Sequence, residues 1–202
     1  TNSNKAYINV ALRLCCSQGW MTQSSINNEI EYALTQKGEI ALPYIGHYSI
    51  FKELLPHLKD VDTMIEKKGE LLFDSVEQIC NYYNEIEKKG IEKDHPSYQI
   101  FHHICGLLIG PVLVHWGMGG VFKEDIEEIK LAKLGGQKTA NLALFRLMNL
   151  MGWGELTSQE AFYPNLKGKA FFKRCSAYGV TSSYLPMFNK LGELFYGNAS
   201  CL

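Results

Sequence analysis

Between residues 71 and 89, Leu72, Phe73, Val76, Ile79, Cys80, Tyr83 and Ile86 recur at spacings of three and four. Asp74, Glu77, Gln78, Asn81, Asn84, Glu85 and Lys88 fill the other positions. At 3.6 residues per turn this gathers one apolar stripe on a helix, which demands a partner surface. The same period governs much of the chain. Ala6, Ile8, Val10, Ala11, Leu12, Leu14 and Cys15 predict a mostly buried helix over 5–16, closed by Gly19. Residues 50–58 predict a short helix interrupted by Pro56, and 137–151 a central helix apolar on most sides. With 46% hydrophobic and 12% aromatic residues, the chain can bury a substantial core. The fold class expected is mainly α.

One stretch departs from that period. Tyr32-Ala-Leu-Thr-Gln-Lys-Gly-Glu-Ile-Ala-Leu-Pro43 reads as a short strand over 30–34 and a helix beginning after Thr35. This resembles the passage from strand to helix in winged-helix modules. The expectation is a single helical domain with a winged-helix-like portion over 1–70, a helical bundle over 71–202 sharing its core, and at most a short β-hairpin.

Further punctuation fills in the second part. Asp94-His95-Pro96-Ser97 reads as a turn starting a helix, and Gly110-Pro111 as the point where that helix breaks into a buried pair. The apolar run 104–114 alone is far short of a bilayer span of about 20 residues. Trp116-Gly-Met-Gly-Gly120 reads as a flexible, close-packing loop, and 123–133 as a charged helix with Ile126 and Ile129 inward. Thr157-Ser-Gln-Glu160 has capping-box spacing. A last amphipathic helix is expected over 183–196, with Leu185, Phe188, Leu191 and Phe195 on one face and Pro186 in its first turn. No repeat of 20–50 residues is apparent.

Charge weighs against nucleic acid. The formal net charge is −1, and residues 21–31, the candidate recognition segment, hold Glu29 and Glu31 but no Lys or Arg. The phosphate term that dominates such binding is therefore missing. The six cysteines (15, 16, 80, 105, 175 and 201) form no C-x-x-C pair, and most sit in apolar runs as small hydrophobes of a reducing, cytoplasmic compartment. Asn198-Ala-Ser200 matches a glycosylation sequon by chance spacing. The start at Thr1 and the uncharged stop at Leu202 read as a fragment of a longer polypeptide.

His102, His103, His115 and Trp116 are the candidate substrate- or partner-facing residues. Adjacent His102 and His103 point to different sides of a helix, so the pair does not chelate one metal; either could meet His115 only across a helical hairpin. Gly106-x-x-x-Gly110 permits close helix approach. Gly117-x-Gly119-Gly120 lacks the G-x-G-x-x-G spacing, and neither a P-loop nor a G-x-S-x-G elbow occurs. No catalytic or metal-binding set is read from the sequence.

The winged-helix-like start at Tyr32-Ala-Leu-Thr-Gln-Lys-Gly38, the segment His115-Trp-Gly-Met-Gly-Gly120 and the closing Tyr178-Gly-Val-Thr-Ser-Ser-Tyr-Leu-Pro-Met-Phe188 carry a resemblance. The chain resembles the N-terminal helical region preceding some S-adenosylmethionine-dependent methyltransferase cores. More narrowly, it is similar to the adaptor or lid-like region opening polyketide synthase loading modules with a GNAT-like domain, of the curacin and apratoxin type. The resemblance implies a non-catalytic adaptor that positions or covers neighbouring acyl-loading domains of the same polypeptide and a phosphopantetheine-bearing acyl carrier protein, with a homodimer among its possible states. It implies no cofactor in this segment, no nucleic acid and no membrane, and S-adenosylmethionine with a divalent metal in an adjacent domain. The donor loop and acidic ribose partner of a methyltransferase core have no counterpart here. The alternatives are a lid supplying His102, His103, His115 and Trp116 to a methyltransferase acting on malonyl-carrier protein, and a winged-helix transcriptional regulator.

Overall fold

The computed structural model describes residues 5–27, 29–58, 60–122, 126–188 and 190–196. The sequon Asn198-Ala-Ser200 and Cys201 lie outside them. In chain order the elements are α1 (Lys5–Ser17), β1 (Met21–Ile26), β2 (Glu29–Leu34), α2 (Gln36–Ala41), a 3-10 stretch (Leu42–Ile50), α3 (Phe51–Leu58), α4 (Val61–Lys67) and α5 (Gly69–Lys88). There follow α6 (Pro96–Met118), β3 (Ile129–Lys130), a 3-10 turn (Leu131–Lys133), α7 (Lys138–Leu150), β4 (Gly154–Leu156), β5 (Ala161–Pro164) and α8 (Leu166–Lys173). Short helices α9 (Gly179–Ser183), α10 (Leu185–Phe188) and α11 (Leu191–Phe195) come last. The fold is mainly α, with small sheets.

Two compact units divide the chain discontinuously: 1–47, 92–100 and 186–202 form one, 48–91 and 101–185 the other. The sequence expectation had divided it after residue 70.

The core of the second unit follows the helical period. On α5, Leu72, Val76, Ile79, Tyr82 and Ile86 are buried; Phe73, Cys80 and Tyr83 lie at its margin. That stripe packs along α7, where Ala140, Ala143, Leu144, Phe145, Leu147 and Met148 are all fully buried. Phe145 stacks on Trp116 at 5.0 Å and tilts against Phe162. The β3-β5-β4 sheet is antiparallel, with Ile129 opposite Phe162 and Leu156 also opposite Phe162. Helix α6, strand β3, helix α7 and the β4-β5 hairpin in this order make a winged helix whose second helix, α7, faces the core. Its Asn141 is buried too and donates to the Gly135 carbonyl at 3.1 Å.

Several expectations are corrected. Gly110-Pro111 does not break α6, which runs 23 residues through Pro111. Proline removes one N–H and tends to kink, but a helix already held by burial on most sides tolerates that loss. By length and composition α6 could cross a membrane, yet 61% of its apolar window is buried in the structure, as suits a core helix. Trp116–Met118 end that helix, and only Gly119 and Gly120 form the turn, Gly120 at φ 71°. Gly106 packs against nothing within 4 Å of a built Cβ; close approach occurs at Gly117, where such a Cβ would lie 2.2 Å from Cys175 Sγ.

Of the charged helix expected over 123–133, residues 126–128 are irregular and Ile129 begins β3, because its β-branched side chain fits opposite Phe162. Residues 123–125 lie outside the described set. Thr157-Ser-Gln-Glu160 caps no helix; it is the turn of the β4-β5 hairpin, with Glu160 at φ 59° and Thr157 N donating to the Ala161 carbonyl. Residues Ala161–Pro164 that a capped helix would use are instead strand β5, paired with β3 and β4. The helix expected over 183–196 is broken into α10 and α11 after α9. The short β-hairpin expected in the winged-helix-like portion is β1-β2, with Asn27 at φ 53° after β1, and it takes the place of a recognition helix there.

α1 forms as expected and Gly19 closes it at φ 75°, but none of its residues is fully buried. Beyond that, the run α1-β1-β2-α2 repeats the run α7-β4-β5-α8. Gly19-Trp20 and Gly152-Trp153 each follow a helix and open a hairpin. The Trp20 carbonyl accepts from Thr35 N at 3.1 Å and the Trp153 carbonyl from Asn165 N at 3.0 Å. Thr35 and Asn165 cap the next helices by accepting from Gly38 N and Gly168 N, each at 3.0 Å. Lys37 Nζ reaches the Gln18 carbonyl at 3.2 Å, Lys167 Nζ the Met151 carbonyl at 3.0 Å. With α1 laid on α7, Lys5, Arg13 and Leu14 fall on Lys138, Arg146 and Leu147. The strand-to-helix passage at Tyr32–Gly38 is therefore one of two copies.

Candidate functional site

All four residues expected to face a substrate or partner lie on α6. Because α6 is continuous, His103 and His115 are twelve positions apart, about 18 Å at 1.5 Å per residue. A helical hairpin bringing them together is thereby excluded. His103 is half-buried, and its Nδ1 is 2.9 Å from Tyr48 Oη. Burial pushes its pKa below the ordinary histidine value. His102, its neighbour on the helix, lies on the exposed side, its ring edge-on to Phe101 at 5.2 Å.

His115 and Trp116 do come together, at the C-terminal end of α6. His115 Nδ1 is 2.8 Å from Asp62 Oδ1 on α4. An N–H there donates to the carboxylate and fixes the ring, leaving Nε2 for a second contact. Trp116 is buried, stacked on Phe145 and edge-on to Phe122 at 6.3 Å. A cavity of about 280 Å³ opens beside them, lined by Asp62, Glu66, His115, Trp116, Lys133 and Gly136. Gly136 has φ 85°, and a built Cβ would lie 2.3 Å from Ile65 Cγ2, so only glycine fits there. The cavity thus offers one oriented imidazole, two carboxylates, one ammonium and an indole wall.

The thiols of α5 and α6 are not poised as nucleophiles. Burial pushes the Cys105 thiol far above its ordinary pKa and raises Cys80 as well. Among the described residues no group of three or more His, Cys, Asp or Glu is placed to hold a metal ion.

Of the residues lining this cavity, the sequence reading named His115 and Trp116 and not Asp62, Glu66 and Lys133. Those three sit on α4 and at the end of the 3-10 turn, and only tertiary packing delivers them. Asp62 had one local signal, its place in the first turn of a helix capped by Asp60.

No curated protein matches the chain. Residues 105–198, a little under half of its length, match the family model described as the AprA winged helix domain. The match covers most of α6, the β3-β5-β4 sheet, α7 and α8, so it includes the second of the two copies, α7-β4-β5-α8, and it accords with the apratoxin-type resemblance.

Proposed function

We propose that this chain is a non-catalytic adaptor at a polyketide synthase loading module, using winged-helix copies to hold neighbouring acyl-loading domains and an acyl carrier protein. The observation that carries the reading is the match of 105–198 to the AprA winged helix domain on a copy whose α7 is packed inward. A recognition helix must present its face to a DNA groove. Here that face is spent on α5, which supports docking of protein rather than nucleic acid. Any S-adenosylmethionine and divalent metal belong, in this reading, to an adjacent domain. Incubating the chain with malonyl-carrier protein, S-adenosylmethionine and a divalent metal should yield no methylated or decarboxylated product. Turnover by the chain alone would refute the reading.

The cavity at His115 supports a second reading, in which this end of α6 closes over the active site of an adjoining methyltransferase core. Fusion to that core with His115→Ala separates the two: unchanged methyl transfer keeps the adaptor, and a large loss of turnover favours the lid.

A further inference from the structure

We propose that the outer face of α1 is the docking site for an acidic amphipathic helix supplied by a partner domain, in the manner in which α5 covers α7. This stands on the internal duplication and is independent of any role in a loading module. On α7, Ala143 and Leu147 are fully buried and Arg146 extends from the same stripe to α5. There the guanidinium pairs with Glu77 and lies 5.5 Å over the Phe73 ring. Glu77 and Phe73 are four residues apart, on one face of α5.

The equivalent stripe on α1 is Val10, Arg13 and Leu14. It keeps the arginine and the apolar pair, but Val10 is 66% and Leu14 64% exposed. Being four positions apart, the two lie on one face of α1 beside Arg13 and form an exposed apolar strip in the register of the buried pair on α7. Charge selects the occupant. α1 holds Lys5 and Arg13 and no acidic residue, so a second copy's α1 laid against it would bring no counter-charge. The α5 of a second copy is already engaged with its own α7. What fits is a helix with an apolar i, i+3, i+4 stripe and a glutamate or aspartate one turn beyond an aromatic residue.

The test uses the full chain and a fluorescein-labelled peptide of the α5 sequence, Gly69–Lys88, carrying Cys80→Ser, as the surrogate helix. Anisotropy should show saturable binding. Leu14→Asp in the chain should weaken it at least tenfold. Arg13→Glu should weaken it severalfold, and a peptide with Glu77→Lys should recover affinity for that variant. Because Val10 and Leu14 are exposed, both chain variants should keep the wild-type circular dichroism spectrum and melting temperature. The proposal is overturned by an absence of saturation up to about 1 mM, the weak end of specific association. It is also overturned if Leu14→Asp leaves binding unchanged, or if light scattering finds a dimer that Leu14→Asp dissolves, since a second copy would then be the occupant.

Discussion

Gly168 and Gly38 make the duplication measurable. A Cβ at Gly168 would lie 2.1 Å from the Trp153 carbonyl oxygen, and one at Gly38 would lie 2.0 Å from that of Trp20. Both obstacles are backbone, so no side chain can swing aside. Relief requires moving the strand start by about 1 Å or more, which disrupts the bond that each carbonyl accepts from Asn165 N or Thr35 N. Overpacking of this kind costs about 1–3 kcal/mol and the lost hydrogen bond about 1 kcal/mol more. Taking about 3 kcal/mol, and 2–4 °C per kcal/mol for a chain of this size, Gly168→Ala should lower Tm by roughly 6–12 °C. Gly38→Ala should destabilise its own unit by a similar free energy. Gly106→Ala is the control, since nothing lies within 4 Å of its built Cβ inside α6. It should raise stability by about 0.5–1 kcal/mol through helix propensity alone. Scanning calorimetry on the three variants gives the comparison. A Gly168→Ala protein melting within 2 °C of wild type, or no better than Gly106→Ala, would refute the close-approach argument.

Three further outcomes are expected. Phe145→Ala, emptying a fully buried site between Trp116 and Phe162, should cost about 3–5 kcal/mol in urea unfolding. His103 has a folded-state pKa below its unfolded value, so the unfolded chain takes up its proton first as pH falls. Stability should be retained above about pH 6.5 and decline below it toward the folded pKa, and His103→Gln should flatten that part of the urea-midpoint profile. Arg146→Met breaks a half-exposed pair with Glu77 and should cost only about 0–1 kcal/mol. A loss beyond about 2 kcal/mol would mean that the guanidinium contributes more through Phe73 than its exposure implies.

What the sequence disclosed and what it hid divide along one physical line. α5 and α7 were legible because an apolar period of 3.6 needs only local spacing. The start of α2 was legible because Thr35 and Gly38 meet within one turn. β1 was legible only as the partner the expected hairpin requires: Met-Thr-Gln-Ser-Ser-Ile has no alternation of its own, and it gains strand form by pairing with β2. Thr157 to Glu160 misled because capping-box spacing says nothing about the strand partners that Ala161–Pro164 find in β3 and β4. Pro111 misled because propensity counts the lost N–H and not the burial around it. The site divided in the same way, with His115 visible as a residue type and Asp62 joined to it only by the fold.

The duplication was hidden for a different reason. Its copies lie 133 positions apart up to Trp153 and 130 beyond, and the residues they share are those whose backbone geometry admits few substitutes. Gly19 and Gly152 need positive φ; Gly38 and Gly168 must lack a Cβ beside a carbonyl. The helices between these fixed points were free to diverge. α7 took Ala143 and Phe145 to suit a core, whereas α1 took Val10 and Leu12. Arg13 and Leu14 resisted that drift although both are exposed on α1. An arginine and leucine kept in register with Arg146 and Leu147, on the face where the second copy meets α5, are best accounted for if α1 meets a helix too.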